Sequence, residues 1–143
     1  MNAKEYLSRA LWLDQRINNK LEQLETLRTL AMKVGANLTE ERVSGGNNTK
    51  SHMESTVVKI VDLEKEINED IDRLVDIKAD IMETISRVDD PISQIILEMR
   101  YVNGKGWDEI ARGLKYNDRS VFKIHSRALK EIAKIRKEGS KIQ

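Results

Sequence analysis

Along the first part of the chain the apolar residues fall at Tyr6, Ala10, Leu13, Ile17, Leu21, Leu24, Leu27, Ala31 and Val34, in steps of three or four. That spacing keeps one side of an α-helix apolar and predicts a helix over residues 4–34, with Gly35 as its stop. Small polar residues follow, with Ser44, Gly45, Gly46, Asn47, Asn48 and Thr49 together, and predict a flexible loop over residues 37–51. A second stripe, Ile60, Leu63, Ile67, Ile71, Leu74, Ile77, Ile81, Ile85 and Val88, predicts a helix over residues 55–88. Two helices of about 30 residues, each ~45 Å long, can fold back as an antiparallel, coiled-coil-like hairpin that buries each stripe on the other. Asp62, Glu64, Glu66, Glu69, Asp70, Asp72, Asp76 and Asp80 fall outside the second stripe and form an acidic face, read as a solvated surface with docking of a basic partner as its rival.

Asp89-Asp90-Pro91 is the sharpest boundary. Asp90 suits an N-cap and Pro91 the first helical position, where its missing N–H costs nothing. Beyond it three helical segments are predicted. The first covers residues 91–101, with Ile92, Ile95, Ile96 and Met99 inward, and ends at Asn103-Gly104-Lys105-Gly106. The second covers 107–114, with Ile110, Ala111 and Leu114 inward. After Lys115-Tyr116-Asn117 the third runs to about residue 137, with Val121, Ile124, Leu129 and Ile132 inward. A short helix, a tight turn and a longer basic helix form the layout of a helix-turn-helix. The expected organisation is therefore a helical hairpin over 1–90 and a three-helix module over 91–143.

Composition supports an all-α fold: 15 Ile, 13 Leu and 9 Val stand against six aromatics and one proline, with 34% charged residues. Absent cysteine excludes disulfides, thiolate metal sites and a cysteine nucleophile. The longest aliphatic run, Ile95-Ile96-Leu97, is far short of the ~20 residues a membrane span needs, and residues 1–6 lack an apolar signal region. A cytoplasmic protein, associated with the nucleoid and with no membrane partner, is expected. The net charge of +1 hides an asymmetry: residues 1–90 hold 13 basic and 18 acidic residues, whereas 91–143 hold 12 and 6. Residues 119–143 alone carry eight basic against two acidic residues, enough to bind the DNA backbone with strong salt dependence. Asn117 can cap the third helix, leaving Asp118, Arg119, Ser120, Phe122 and Lys123 to face a major groove. Arg119 can pair with guanine, and Lys115 and Arg127 can hold phosphates.

Arg100-Tyr101, Trp107-Asp108-Glu109-Ile110-Ala111, Leu114, and the run Ser120-Val121-Phe122-Lys123-Ile124-His125-Ser126-Arg127-Ala128-Leu129 resemble region 4 of bacterial sigma factors. The whole chain resembles the small sigma-70 region 4-like regulators of phages and prophages of Gram-positive bacteria. This resemblance implies DNA binding by the third helix, with Arg119 and Lys123 where base edges are read and Asp118 beside them. It also departs from the pattern: Phe122 stands where a phosphate-contacting basic residue is usual, and Asp118 is an acid where a base is common. Nothing resembles the sigma region that melts the −10 element. The resulting expectation is a sequence-specific, double-stranded-DNA-binding transcriptional regulator, an activator working with RNA polymerase, with the hairpin available for self-association. Its DNA-contacting residues are Lys115, Asn117, Asp118, Arg119, Ser120, Phe122, Lys123, Ser126, Arg127 and Lys130.

Other chemistry finds no support. His52 and His125 have no ligand-spaced carboxylate or second histidine, and no nucleophile elbow, P-loop or dinucleotide fingerprint occurs. No enzyme activity, cofactor or metal is expected, and Trp12 and Trp107 read as packing anchors. The rival functions are a small-terminase-like DNA-packaging subunit and an interaction protein whose basic helix meets an acidic protein.

Overall fold

The computed structural model describes the backbone of residues 1–40 and 46–142 and the side chains of residues 1–36 and 51–139. It is all-helical, with no strand among the described residues. The helices are α1 (Ala3–Glu40), α2 (Gly46–Ser86), α3 (Pro91–Leu97), which continues into a π-helical segment (Glu98–Val102), α4 (Trp107–Leu114) and α5 (Asp118–Ile142). Helix occupies much of the expected 37–51 loop, reaching Glu40 and resuming at Gly46. Residues 41–45 lie outside the described residues. Interior hydrogen bonding carries α5 five residues beyond the predicted end at 137, while α2 stops two residues short of 88.

Packing divides the chain at places other than residue 90: residues 1–13 and 74–143 make one compact unit, and 14–73 another. In the first unit Leu7, Ala10, Ile81, Ile85, Leu97, Tyr101, Ala128 and Ile132 share one buried cluster. The start of α1 and the end of α2 thus supply a core for α3 and α5. A second cluster, Ile96, Ile110, Ala111 and Val121, holds α3, α4 and α5 together. Asp90 is the expected N-cap, its Oδ2 accepting from the Ser93 backbone N–H at 3.2 Å and from the Ser93 hydroxyl at 2.8 Å, with Pro91 following. The bonds with Ser93 hold the Asp90 carboxyl below its ordinary pKa. Glu131 of α5 accepts from the Asp89 N–H at 3.0 Å, and Gln94 donates to the Ser86 carbonyl at the end of α2 at 3.1 Å. Tyr6 ties three helices: its hydroxyl donates to Asp80 Oδ2 at 2.7 Å, and the Arg136 guanidinium of α5 lies 4.1 Å from its ring centre.

The helix predicted over residues 91–101 ends in the π segment and buries residues other than those expected. Leu97 and Tyr101 enter the first cluster while Ile96 and Met99 face the second, and Ile95, expected inward, is exposed.

In the second unit the apolar stripes are interrupted by charge. Ile17, Leu24 and Ile67 are buried as expected, but Leu21 and Ile71 are exposed. Their preceding neighbours take the inward positions: Lys20 Nζ lies 2.6 Å from Asp70 Oδ2, and Asp70 is 5% exposed, contrary to its expected place on a solvated acidic face. Adjacent helical positions point about 100° apart, so admitting Lys20 and Asp70 turns Leu21 and Ile71 outward. Arg28 meets Glu64 at 3.2 Å, and the descending partner numbers show that α1 and α2 run in opposite directions here.

A carboxylate this buried is costly without its cation. Asp70→Ala is expected to destabilise the full chain by about 2 kcal/mol in urea unfolding, and adding Lys20→Met should recover most of that loss. Additive losses in the double variant would show that the two side chains are not coupled.

Candidate nucleic-acid interface

The turn between α4 and α5 is built by its backbone. The Tyr116 N–H reaches the Ala111 carbonyl at 3.0 Å and the Lys115 N–H the Arg112 carbonyl at 3.3 Å, a Schellman closure. Such a closure needs a left-handed residue, and Lys115 fills it with φ 59° and ψ 36°. Glycine usually takes this position because a Cβ is disfavoured there. Asn117 then caps α5, its Oδ1 accepting from the Ser120 N–H at 2.8 Å. The side-chain oxygen of Asn117 thus serves as the expected cap, which leaves its amide Nδ2 for the DNA contact also expected of it.

Behind the turn, Ala111 and Ile110 of α4 meet Val121 of α5, with Ile96 of α3 beneath. Small Ala111 permits the close approach. Further along α5, His125 is 7% exposed, with Nε2 2.7 Å from the Tyr101 hydroxyl and its ring 4.6 Å from that of Trp107. Burial, then the positive charges of Lys4 and Arg100, lower its pKa to about 4, so it is neutral near pH 7. Burial also raises the Tyr101 hydroxyl to about 12. His125, set aside from any chemistry, thus belongs to an aromatic support beneath α5, which Trp107 extends towards Phe122 at 5.3 Å. Arg100 lies 4.8 Å from the Trp107 ring centre and donates to the Lys105 carbonyl at 3.1 Å.

The opposite side of α5 is open. Lys115, Asn117, Asp118, Arg119, Phe122, Lys123, Ser126, Arg127 and Lys130 are exposed, and Ser120 is partly buried. Arg119, Lys123, Arg127, Lys130, Lys134 and Lys137 follow one another in steps of three or four and are all exposed. At about 100° per residue they occupy a sector of roughly 80°, almost diametrically opposite Val121, Ala128 and Ile132, and extend for ~27 Å. Among the described residues no ion pair or hydrogen bond engages these six cations. Lys134 and Lys137 were absent from the expected contact set, although the same period that finds apolar stripes, applied to the basic residues, extends the stripe to them.

These features define an all-helical protein with a short helix, a left-handed turn and a long helix whose buried and cationic sides are opposed. The chain belongs to a family described as "Protein of unknown function (DUF1492)", whose model matches residues 32–133. Neither a curated protein nor a solved structure matches it. Among the described residues, no helix is long and apolar enough to cross a membrane, and no cluster of three or more potential metal-ligating side chains occurs.

Two predictions separate support from surface. Because the unfolded chain protonates His125 near 6.5 and the folded chain only near 4, stability is full above pH 6.5 and falls as pH drops from there towards 4. The loss is on the order of 3 kcal/mol, and His125→Gln should flatten that part of the profile in urea melts. An unchanged slope in the variant would assign the acid sensitivity to other groups. Lys115→Gly should raise stability by about 1 kcal/mol by relieving the left-handed Cβ; a lowered melting temperature would contradict the strain.

Proposed function

We propose that this protein is a double-stranded-DNA-binding transcriptional regulator that places the first turns of α5 in the major groove. The observation that supports this most is the unpaired cationic stripe on the side of α5 opposite its core. A basic helix serving only to stabilise its own protein would be expected to form ion pairs along its length; none of the six cations does so, although the charge of Arg127 is felt by Asp90. Arg119, Phe122, Lys123 and Ser126 occupy the outward face nearest the turn, the part of a recognition helix that reaches base edges. Arg127, Lys130 and Lys134 lie further along, where a straight helix leaves the curved groove and meets phosphates. Lys115 flanks the turn, and Asp118 sets a negative charge beside Arg119, disfavouring any phosphate at that point.

The resemblance to phage and prophage sigma region 4-like regulators supports action at promoters with RNA polymerase, as an activator in the cytoplasm. In that reading α1 and α2 provide the surface for the polymerase or for a second copy of the chain.

The test is fluorescence anisotropy of the full chain on duplex recovered from a randomised pool, at several salt concentrations. Lys130→Ala should weaken binding to all sequences alike and reduce the salt slope by about 1, whereas Arg119→Ala should lose about 1–3 kcal/mol on the recovered sequence and relax its selectivity. No duplex affinity at low salt would overturn the proposal, and a closed ring of many copies in solution would redirect it towards DNA packaging.

A further inference from the structure

One residue of the outward face has no role in phosphate binding. Phe122 is 47% exposed, yet it sits between two exposed cations, Arg119 one turn before it and Lys123 beside it, with Ser126 one turn after. An aromatic ring there adds nothing to electrostatic attraction and places apolar surface in water. Its position is nevertheless supported. The Trp107 ring stands 5.3 Å away at 55°, and Trp107 is itself held by the edge of His125 at 4.6 Å and by Arg100 at 4.8 Å. The ring is therefore backed on one side by half-buried Trp107 and presented on the other, so little rotamer freedom is lost when it meets a ligand.

An apolar target that lies amid anionic and hydrogen-bonding groups is specific chemistry. On the edges that the major groove displays, the apolar group is the 5-methyl of thymine; the rest of the pattern consists of donors and acceptors. We infer that Phe122 is a specificity-determining residue that reads a thymine 5-methyl group, next to the base edges and phosphates met by Arg119 and Lys123. This rests on the proposed insertion of α5 into duplex DNA and specifies what the site recognises there. Trp107 is the positioning residue behind it.

The experiment compares thymine with uracil, which lacks only that methyl group. The wild-type chain is used to recover a preferred duplex from a randomised pool. Each thymine of that duplex is then replaced singly by uracil, and binding is measured for the wild type, Phe122→Ala and Phe122→Lys. At one thymine, or at two adjacent ones, uracil should weaken wild-type binding by roughly three- to fivefold, the scale of one methyl group leaving an apolar contact. Phe122→Ala should bind the two versions equally, and Phe122→Lys should recover affinity through phosphate without recovering the thymine preference. The uracil scan needs no variant, so it stands even if a substitution disturbs folding. A wild type indifferent to uracil at every position, or a Phe122→Ala chain that keeps the same discrimination, would overturn the inference while leaving DNA binding intact. Absence of duplex binding altogether would overturn both.

Discussion

α5 is gripped from behind by two apolar clusters in succession, and the contact between Tyr101 and His125 stands where one gives way to the other. Val121 enters the cluster of Ile96, Ile110 and Ala111, while Ala128 and Ile132 enter the cluster completed by α1 and α2. His125 falls between these residues in sequence and is bonded to a tyrosine of the π segment. Holding a helix along one entire side leaves the other side free of structural duty. The cationic stripe can exist only because the apolar half of α5 already satisfies the fold, and because neutral His125 adds no buried charge to that half.

The π segment belongs to the same constraint. Adjacent residues of a helix point about 100° apart, so residues 96 and 99 reach a different neighbour from residues 97 and 101. α3 and the π segment together present Ile96 and Met99 to α4 and α5, and Leu97 and Tyr101 to the cluster that includes α1 and α2. A short helix thereby becomes a wall shared by two cores, and Tyr101 reaches His125.

Much of this was legible in the residue pattern. Asp90 and Pro91 start α3 as their chemistry requires, and Asn117 starts α5. The all-helical class follows from stripes at helical period and a single proline. What period alone does not resolve is the choice between neighbours at the edge of a stripe: Lys20 and Asp70 displaced Leu21 and Ile71 because an ion pair across the helices satisfies both charges. Nor does period indicate where a helix widens, since backbone bonds five residues apart depend on what packs on each side. The aromatic support of Trp107, Tyr101 and His125 was hidden for another reason: its members lie far apart in sequence and meet only when α3, α4 and α5 assemble. The exposed cations were visible as composition, and their confinement to one sector follows from their spacing of three or four residues within the helix predicted to about residue 137.

The larger compact unit draws on both ends of the chain, with residues 1–13 closing against residues 74–143. During synthesis, Leu7 and Ala10 emerge first, yet their partners Ala128 and Ile132 follow more than a hundred residues later. At roughly 5–20 residues per second the ribosome imposes an interval of several seconds or more in which the cluster around Leu7 and Ala10 lacks its α5 residues. Completion of this core therefore waits until α5 has been made, and the cationic helix gains its rigid backing by closing on residues synthesised more than a hundred positions earlier.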